Sequence, residues 1–98
     1  MRLALHIDPG AYQELQEAVA YYEFQQAGLG IRLLEDWEET LELVSKHPVS
    51  FQKAFNTFRR ISLKRFPYMI IYEIENNSIF IFRFICSKRE EEKRYKKR

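Results

Sequence analysis

The apolar residues of this chain change their spacing once, near residue 50, and that change restricts the folds open to it. Before it they recur every three and four residues, as on one face of a helix; after it they alternate or run on continuously, as in strands. Ala11, Leu15, Ala18, Val19 and Tyr22 make one stripe, predicting a helix over about residues 9–26. Leu33, Leu34, Trp37, Leu41 and Val44 make a second, predicting a helix over about 30–46 with Glu35, Glu38, Glu39 and Glu42 outward. Asp8 is a good N-cap for the first helix, and Pro9 fits its first turn, where a missing N–H is harmless. Gly28-Leu29-Gly30 separates the two stripes by so few residues that they must form an antiparallel hairpin, and His47-Pro48 ends the second.

Strands flank this hairpin on both sides. Leu3, Leu5 and Ile7 alternate with more polar neighbours and predict a short, half-buried first strand. Residues 49–56 show no period and read as a connection anchored by Phe51 or Phe55. Three strand-like runs follow at about 57–65, 68–75 and 79–86, forming an antiparallel meander whose last turn is Asn76-Asn77. A two-residue turn there pairs Ile74 with Ile79, Tyr72 with Ile81, Ile70 with Arg83 and Met69 with Phe84, and puts Phe80, Phe82 and Phe84 on one face. The last two strands are apolar on both faces, so the face turned away from the helices is expected to meet another molecule. The fold class is therefore α+β: an N-terminal strand and an antiparallel helical hairpin packed on a mainly antiparallel sheet of about four strands. At 98 residues the chain makes one domain, 1–98, of which 87–98 reads as a basic tail.

Charge divides the chain at nearly the same place. Residues 1–50 carry three Lys/Arg against nine Asp/Glu, and residues 51–98 carry thirteen against five, so the halves stand at −6 and +8. Salt bridges between the halves can absorb part of this. Eleven of the thirteen cations nevertheless come in tight groups, which favours an anionic partner for a basic surface made of Arg59, Arg60, Lys64, Arg65, Arg83, Lys88 and Arg89. The single cysteine, Cys86, excludes an internal disulfide, and no apolar run reaches membrane-span length. A cytoplasmic, thiol-reduced protein is expected.

Common catalytic sets are missing from the residues. His6 and His47 lie far apart and lack ligand spacing to Cys86, so no metal and no cofactor are expected, and no glycine loop suits a phosphate. Cations and phenols remain. Phosphodiester cleavage without a metal needs a base, an acid and charge stabilisation, which Arg60, Lys64, Arg83, Arg89 and Tyr95 could supply between them. The same residues also read as solvated strand positions and an aromatic in a charged tail.

Three blocks go further: Ala20-Tyr21-Tyr22-Glu23 followed by Gly28-Leu29-Gly30-Ile31-Arg32-Leu33-Leu34; residues 59–72 with Lys64-Arg65-Phe66-Pro67-Tyr68 at their centre; and Lys88-Arg89-Glu90. In this order, over nearly the whole chain, they resemble the RelE/ParE superfamily of toxins from bacterial type II toxin–antitoxin pairs. The resemblance implies a growth-inhibiting toxin held silent by a cognate antitoxin, which would lay an amphipathic, acidic segment on the apolar and basic surface. It also implies one of two targets, the ribosome with its mRNA or DNA gyrase. For the mRNA-cleaving branch it places catalytic roles on Arg60, Arg89 and Tyr95. This chain, however, has Ser62 where that branch has lysine and Met69 where it has a phosphate-binding arginine. The long hairpin with Gly-Leu-Gly looks like the gyrase-directed branch, although Cys86 stands where that branch often has histidine. The reading that follows is a toxin that binds and inhibits a macromolecule such as gyrase. The alternatives are a ribosome-dependent endoribonuclease and a non-toxic interaction module.

Overall fold

The computed structural model describes residues 3–87. Strand β1 (Ala4–Ile7) leads into helix α1 (Pro9–Gln25), which turns back as α2 (Leu29–Lys46); β2 (Lys53–Phe55), β3 (Phe58–Ser62), β4 (Tyr68–Glu75) and β5 (Ser78–Cys86) follow. The strands form one sheet in the order β1-β5-β4-β3-β2, with β1 parallel to β5 and the other pairs antiparallel. The first strand therefore pairs with the last. It lies at the sheet edge with all four residues exposed, so less of it is buried than its alternation suggests.

Local chemistry sets the helix ends. The Asp8 carboxylate accepts from the Gly10 N–H at 2.9 Å, and Pro9 occupies the first turn. Gly28 caps α2 with φ 95°, a left-handed conformation that a side chain would strain. Glu23, in the last turns of α1, reaches across the hairpin turn to accept from the amides of Gly28 (3.0 Å) and Gly30 (3.0 Å), satisfying donors that α2 leaves unpaired at its start. The helices meet closely at Gly30, where an added Cβ would lie 3.0 Å from the Val19 carbonyl oxygen.

The core lies between the hairpin and one face of the sheet. Ala11, Leu15 and Ala18 of α1 and Leu33, Trp37 and Val44 of α2 are buried against Ile70, Tyr72, Ile79, Ile81 and Phe84. Val19, Tyr22, Leu34 and Leu41 pack around them, half-buried, as the helical stripes require. Phe51, rather than the exposed Phe55, anchors the α2–β2 connection.

Two expectations need correction. Three residues of the expected connection over 49–56, Lys53–Phe55, pair with β3 as a fifth strand too short to show a period. The Asn76-Asn77 turn has both φ angles positive, and the register beside it is the expected one, Ile74 with Ile79 and Tyr72 with Ile81. A β-bulge then intervenes: Ile71 faces Arg83, so Phe82 is the extra residue on β5. Ile70 consequently pairs with Phe84 instead of Arg83, and Met69 with Ile85 instead of Phe84. The bulge turns Phe84 to the helix side, where it is 1% exposed and stacks on Tyr68 (4.7 Å, 8°) beneath Trp37. Phe80 and Phe82 stay on the open face.

A pH-dependent contribution arises where the α2–β2 connection meets the sheet. The Tyr72 hydroxyl donates to the Pro48 carbonyl at 2.7 Å, and Arg59 donates to the carbonyls of Phe51 (2.8 Å) and Val49 (3.3 Å). Burial raises the Tyr72 phenol from 10.0 to about 12, although nearby Arg59 pulls it down. Above pH 10 the unfolded chain releases this proton before the folded chain does. Stability from Tyr72 is thus fully present below about pH 10 and is lost as pH rises towards 12. Urea unfolding at pH 9 and 11 should show a steeper decline for the parent chain than for Tyr72→Phe, which at neutral pH is less stable by about 1 kcal/mol for the lost hydrogen bond. Equal declines would contradict this account.

Candidate functional site

The sheet face away from the hairpin carries the candidate site. Strand alternation puts Phe58, Arg60 and Ser62 of β3 and Met69, Ile71 and Glu73 of β4 on this face. Rings of Phe55, Phe58 and Phe82 follow one another at 5.1 and 5.0 Å, and His6 stacks on Phe80 at 4.9 Å. Phe55, Phe80 and Phe82 remain 55, 39 and 44% exposed, whereas Ile71 beneath them is almost wholly covered. No helix among the described residues lies over this face, as its apolar sequence anticipates.

The cations expected on this surface divide into two groups. Arg59 points to the helix side, committed to the carbonyls of Val49 and Phe51. Arg65 pairs with Asp36 at 3.7 Å and Glu39 at 3.3 Å. Arg83 makes a forked contact with Glu14 of α1, 2.6 and 3.0 Å from Oε2, and the other carboxylate oxygen accepts from the Phe84 N–H at 2.9 Å. Salt bridges between the halves of the chain thus absorb Arg65 and Arg83. Arg60, half-buried beside Ile71, and Lys64, exposed after β3, have no carboxylate partner among the described residues. Lys88, Arg89 and Tyr95 lie outside the described residues. Arg60 and Lys64 are therefore the nominated cations that the described chain leaves available.

Two carboxylates that organise this region escape a reading of the sequence for surface charge. Glu14 sits where β1 has ended and β5 continues, satisfying an edge N–H and orienting Arg83. Asp36 is fully buried and accepts from the Lys64 N–H (3.2 Å) and the Arg65 N–H (2.7 Å), tying the β3–β4 connection to α2. The signal for Asp36 was its spacing: three residues after Leu33 and four before Thr40, it falls among the inward positions of α2. Glu14 has no comparable signal, because its partners are 69 and 70 residues away. Near the end of β5, burial and the neighbouring Cys86 raise the Tyr22 phenol above its ordinary range.

The fold of this chain is shared with solved toxin structures. The chain resembles a solved structure of the chromosomal ParDE toxin–antitoxin system from P. aeruginosa, with TM-score 0.75 and 15% identity over 85% of this chain and 94% of that one. It also resembles a doubly substituted E. coli toxin RelE in the free state (TM-score 0.63, 17% identity, 93% and 90% covered) and the isolated E. coli RelE toxin (TM-score 0.60, 17% identity, 95% and 98% covered). Comparison with curated protein sequences gives no match. The family model for the ParE toxin of the type II toxin–antitoxin system, parDE, matches residues 5–91. The chain belongs to this ParE toxin family. No described helix is long and apolar enough to cross a membrane.

Proposed function

We propose that this toxin acts by binding and inhibiting a macromolecular target, DNA gyrase first among the candidates, and that a cognate antitoxin silences it in the cytoplasm. The observation that carries the reading is one cross-strand pair. Ser62 and Met69 face each other between β3 and β4, on the open face beside Arg60. These are the positions where the resemblance gives the mRNA-cleaving branch a lysine and a phosphate-binding arginine. Both absences thus fall at one spot. A metal-free cleavage site lacking two adjacent cations has little to balance the charge that builds on phosphate, and one such donor is worth ~2.7–4 kcal/mol in a transition state. A binding mechanism asks only for a complementary surface, and the rings of Phe55, Phe58 and Phe82 beside Arg60 offer an apolar, cationic one. An acidic, amphipathic antitoxin segment suits the same surface.

Purified toxin is expected to inhibit gyrase supercoiling at stoichiometric excess, with inhibition relieved by the antitoxin. Unchanged supercoiling would count against gyrase. Cuts within the codon being read, seen by toeprinting of translating ribosomes and abolished in Tyr95→Phe, would establish the endonuclease reading with Arg60, Arg89 and Tyr95. Induction without antitoxin that neither slows growth nor signals DNA damage would favour a non-toxic interaction module.

A further inference from the structure

The ring row on the open face ends on a residue that no neighbouring strand holds. β1 stops opposite Ile81, so among the described residues β5 runs on as a sheet edge from Phe82 to Cys86. On its other side the bulge skips the same residue, since Tyr72 faces Ile81 and Ile71 faces Arg83. Phe82 therefore has no cross-strand partner on either side. Two contacts from the hairpin flank it instead. The Asp8 N–H, at the start of α1, donates to the Ile81 carbonyl at 2.9 Å, and the Glu14 carboxylate of α1 accepts from the Phe84 N–H at 2.9 Å. The second oxygen of Glu14 accepts from the Arg83 guanidinium at 2.6 and 3.0 Å. The Glu14 side chain is only 29% exposed, so water screens this contact less than it would at the surface.

We infer that Glu14 is a positioning residue for the binding surface: acting from α1, it holds the bulge so that Phe82 completes the row begun by Phe55 and Phe58. The backbone is tied at Ile81 and Phe84, and Arg83 is gripped by its side chain. Phe82 is left to the open face, where its ring meets that of Phe58 at 5.0 Å. Packing of Phe84 beneath Trp37 sets the register beyond the bulge, whereas Glu14 sets the pose of the residue that the register skips. The use of this device to the toxin rests on the open face being where the target binds, as proposed above. A molecule on that face is then sensitive to an acidic residue on α1 that it never meets. Arg83, nominated as a cation of the basic surface, serves the face by fixing its shape.

The test reads ring contacts by NMR in the full chain. In Glu14→Ala the nuclear Overhauser contact between the rings of Phe82 and Phe58 is expected to lose most of its intensity, while the contacts of Phe84 with Trp37 and Tyr68 keep theirs. Glu14→Gln retains an acceptor for the Phe84 N–H but no charge for Arg83, and should fall between parent and alanine variant. A parental Phe82–Phe58 contact in Glu14→Ala would overturn the inference. So would loss of the Trp37 and Tyr68 contacts along with it in both variants, which would make Glu14 a residue of the fold alone. Should the alanine variant fail to fold, the glutamine variant decides by the same contacts. In gyrase supercoiling, Glu14→Ala should need about tenfold more toxin for half inhibition, and adding it to Phe82→Ala should cost nothing further, because both take the same ring from the row. Additive losses would overturn the inference. A parent toxin that leaves supercoiling unchanged would remove gyrase as the target, and the ring contacts would then decide the role of Glu14 by themselves.

Discussion

Replacing Asp36 by alanine is expected to destabilise the folded chain by about 2–4 kcal/mol, read as a lowered urea midpoint. The carboxylate is fully buried, and its oxygens accept from the backbone N–H groups of Lys64 and Arg65 while facing the Arg65 guanidinium. Alanine removes all three interactions at once and leaves the two amides without their acceptor, at ~1–3 kcal/mol for each group that stays buried. Asparagine keeps the shape and one acceptor oxygen, so Asp36→Asn should fall between parent and alanine variant. An alanine variant that unfolds at the parental midpoint would mean that the β3–β4 connection holds its place without α2.

The other large effect belongs to Phe84. Phe84→Ala should destabilise by about 3–5 kcal/mol, the range for removing a fully enclosed aromatic ring. The side chain is 1% exposed and fills the space between Tyr68 and Trp37. Phe82→Ala makes the informative comparison, since Phe82 is 44% exposed on the open face and its loss should stay within about 1 kcal/mol. The contrast tests the bulge itself. An unbroken alternation would put the two rings on the same face, and the two substitutions would then have similar effects. Near-equal losses in urea unfolding would therefore refute the register.

The helical hairpin was legible because two long apolar stripes, an Asp-Pro start and a Gly-Leu-Gly turn all specify the same arrangement. The Asn76-Asn77 turn was legible for a similar reason, since asparagine accepts the positive φ that the turn imposes. The bulge at Phe82 was not, because it follows from packing: the space under Trp37 takes an aromatic ring, and a strict two-residue period cannot deliver Phe84 to it. β2 is too short to carry a pattern. At the candidate site, Arg60 lies on the open face of β3 and Lys64 is exposed beyond its end, whereas Arg59, Arg65 and Arg83 are drawn into contacts with the α2–β2 connection, α2 and α1. A cation's type and neighbours do not reveal a carboxylate that folding brings from 69 residues away, as Glu14 is brought to Arg83.

The pairing of β1 with β5 has a consequence for how the protein comes into being on the ribosome. Ala4 lies opposite Ser78 and Ile7 opposite Ile81, so β1 has no strand partner until β5 has been made, more than seventy residues later. Contacts of such long sequence separation slow folding, because the loop they close must be ordered before they form. A sheet closed in this way cannot be finished in instalments: its edge strand, made first, stays unpaired until the last strand of the sheet has been synthesised.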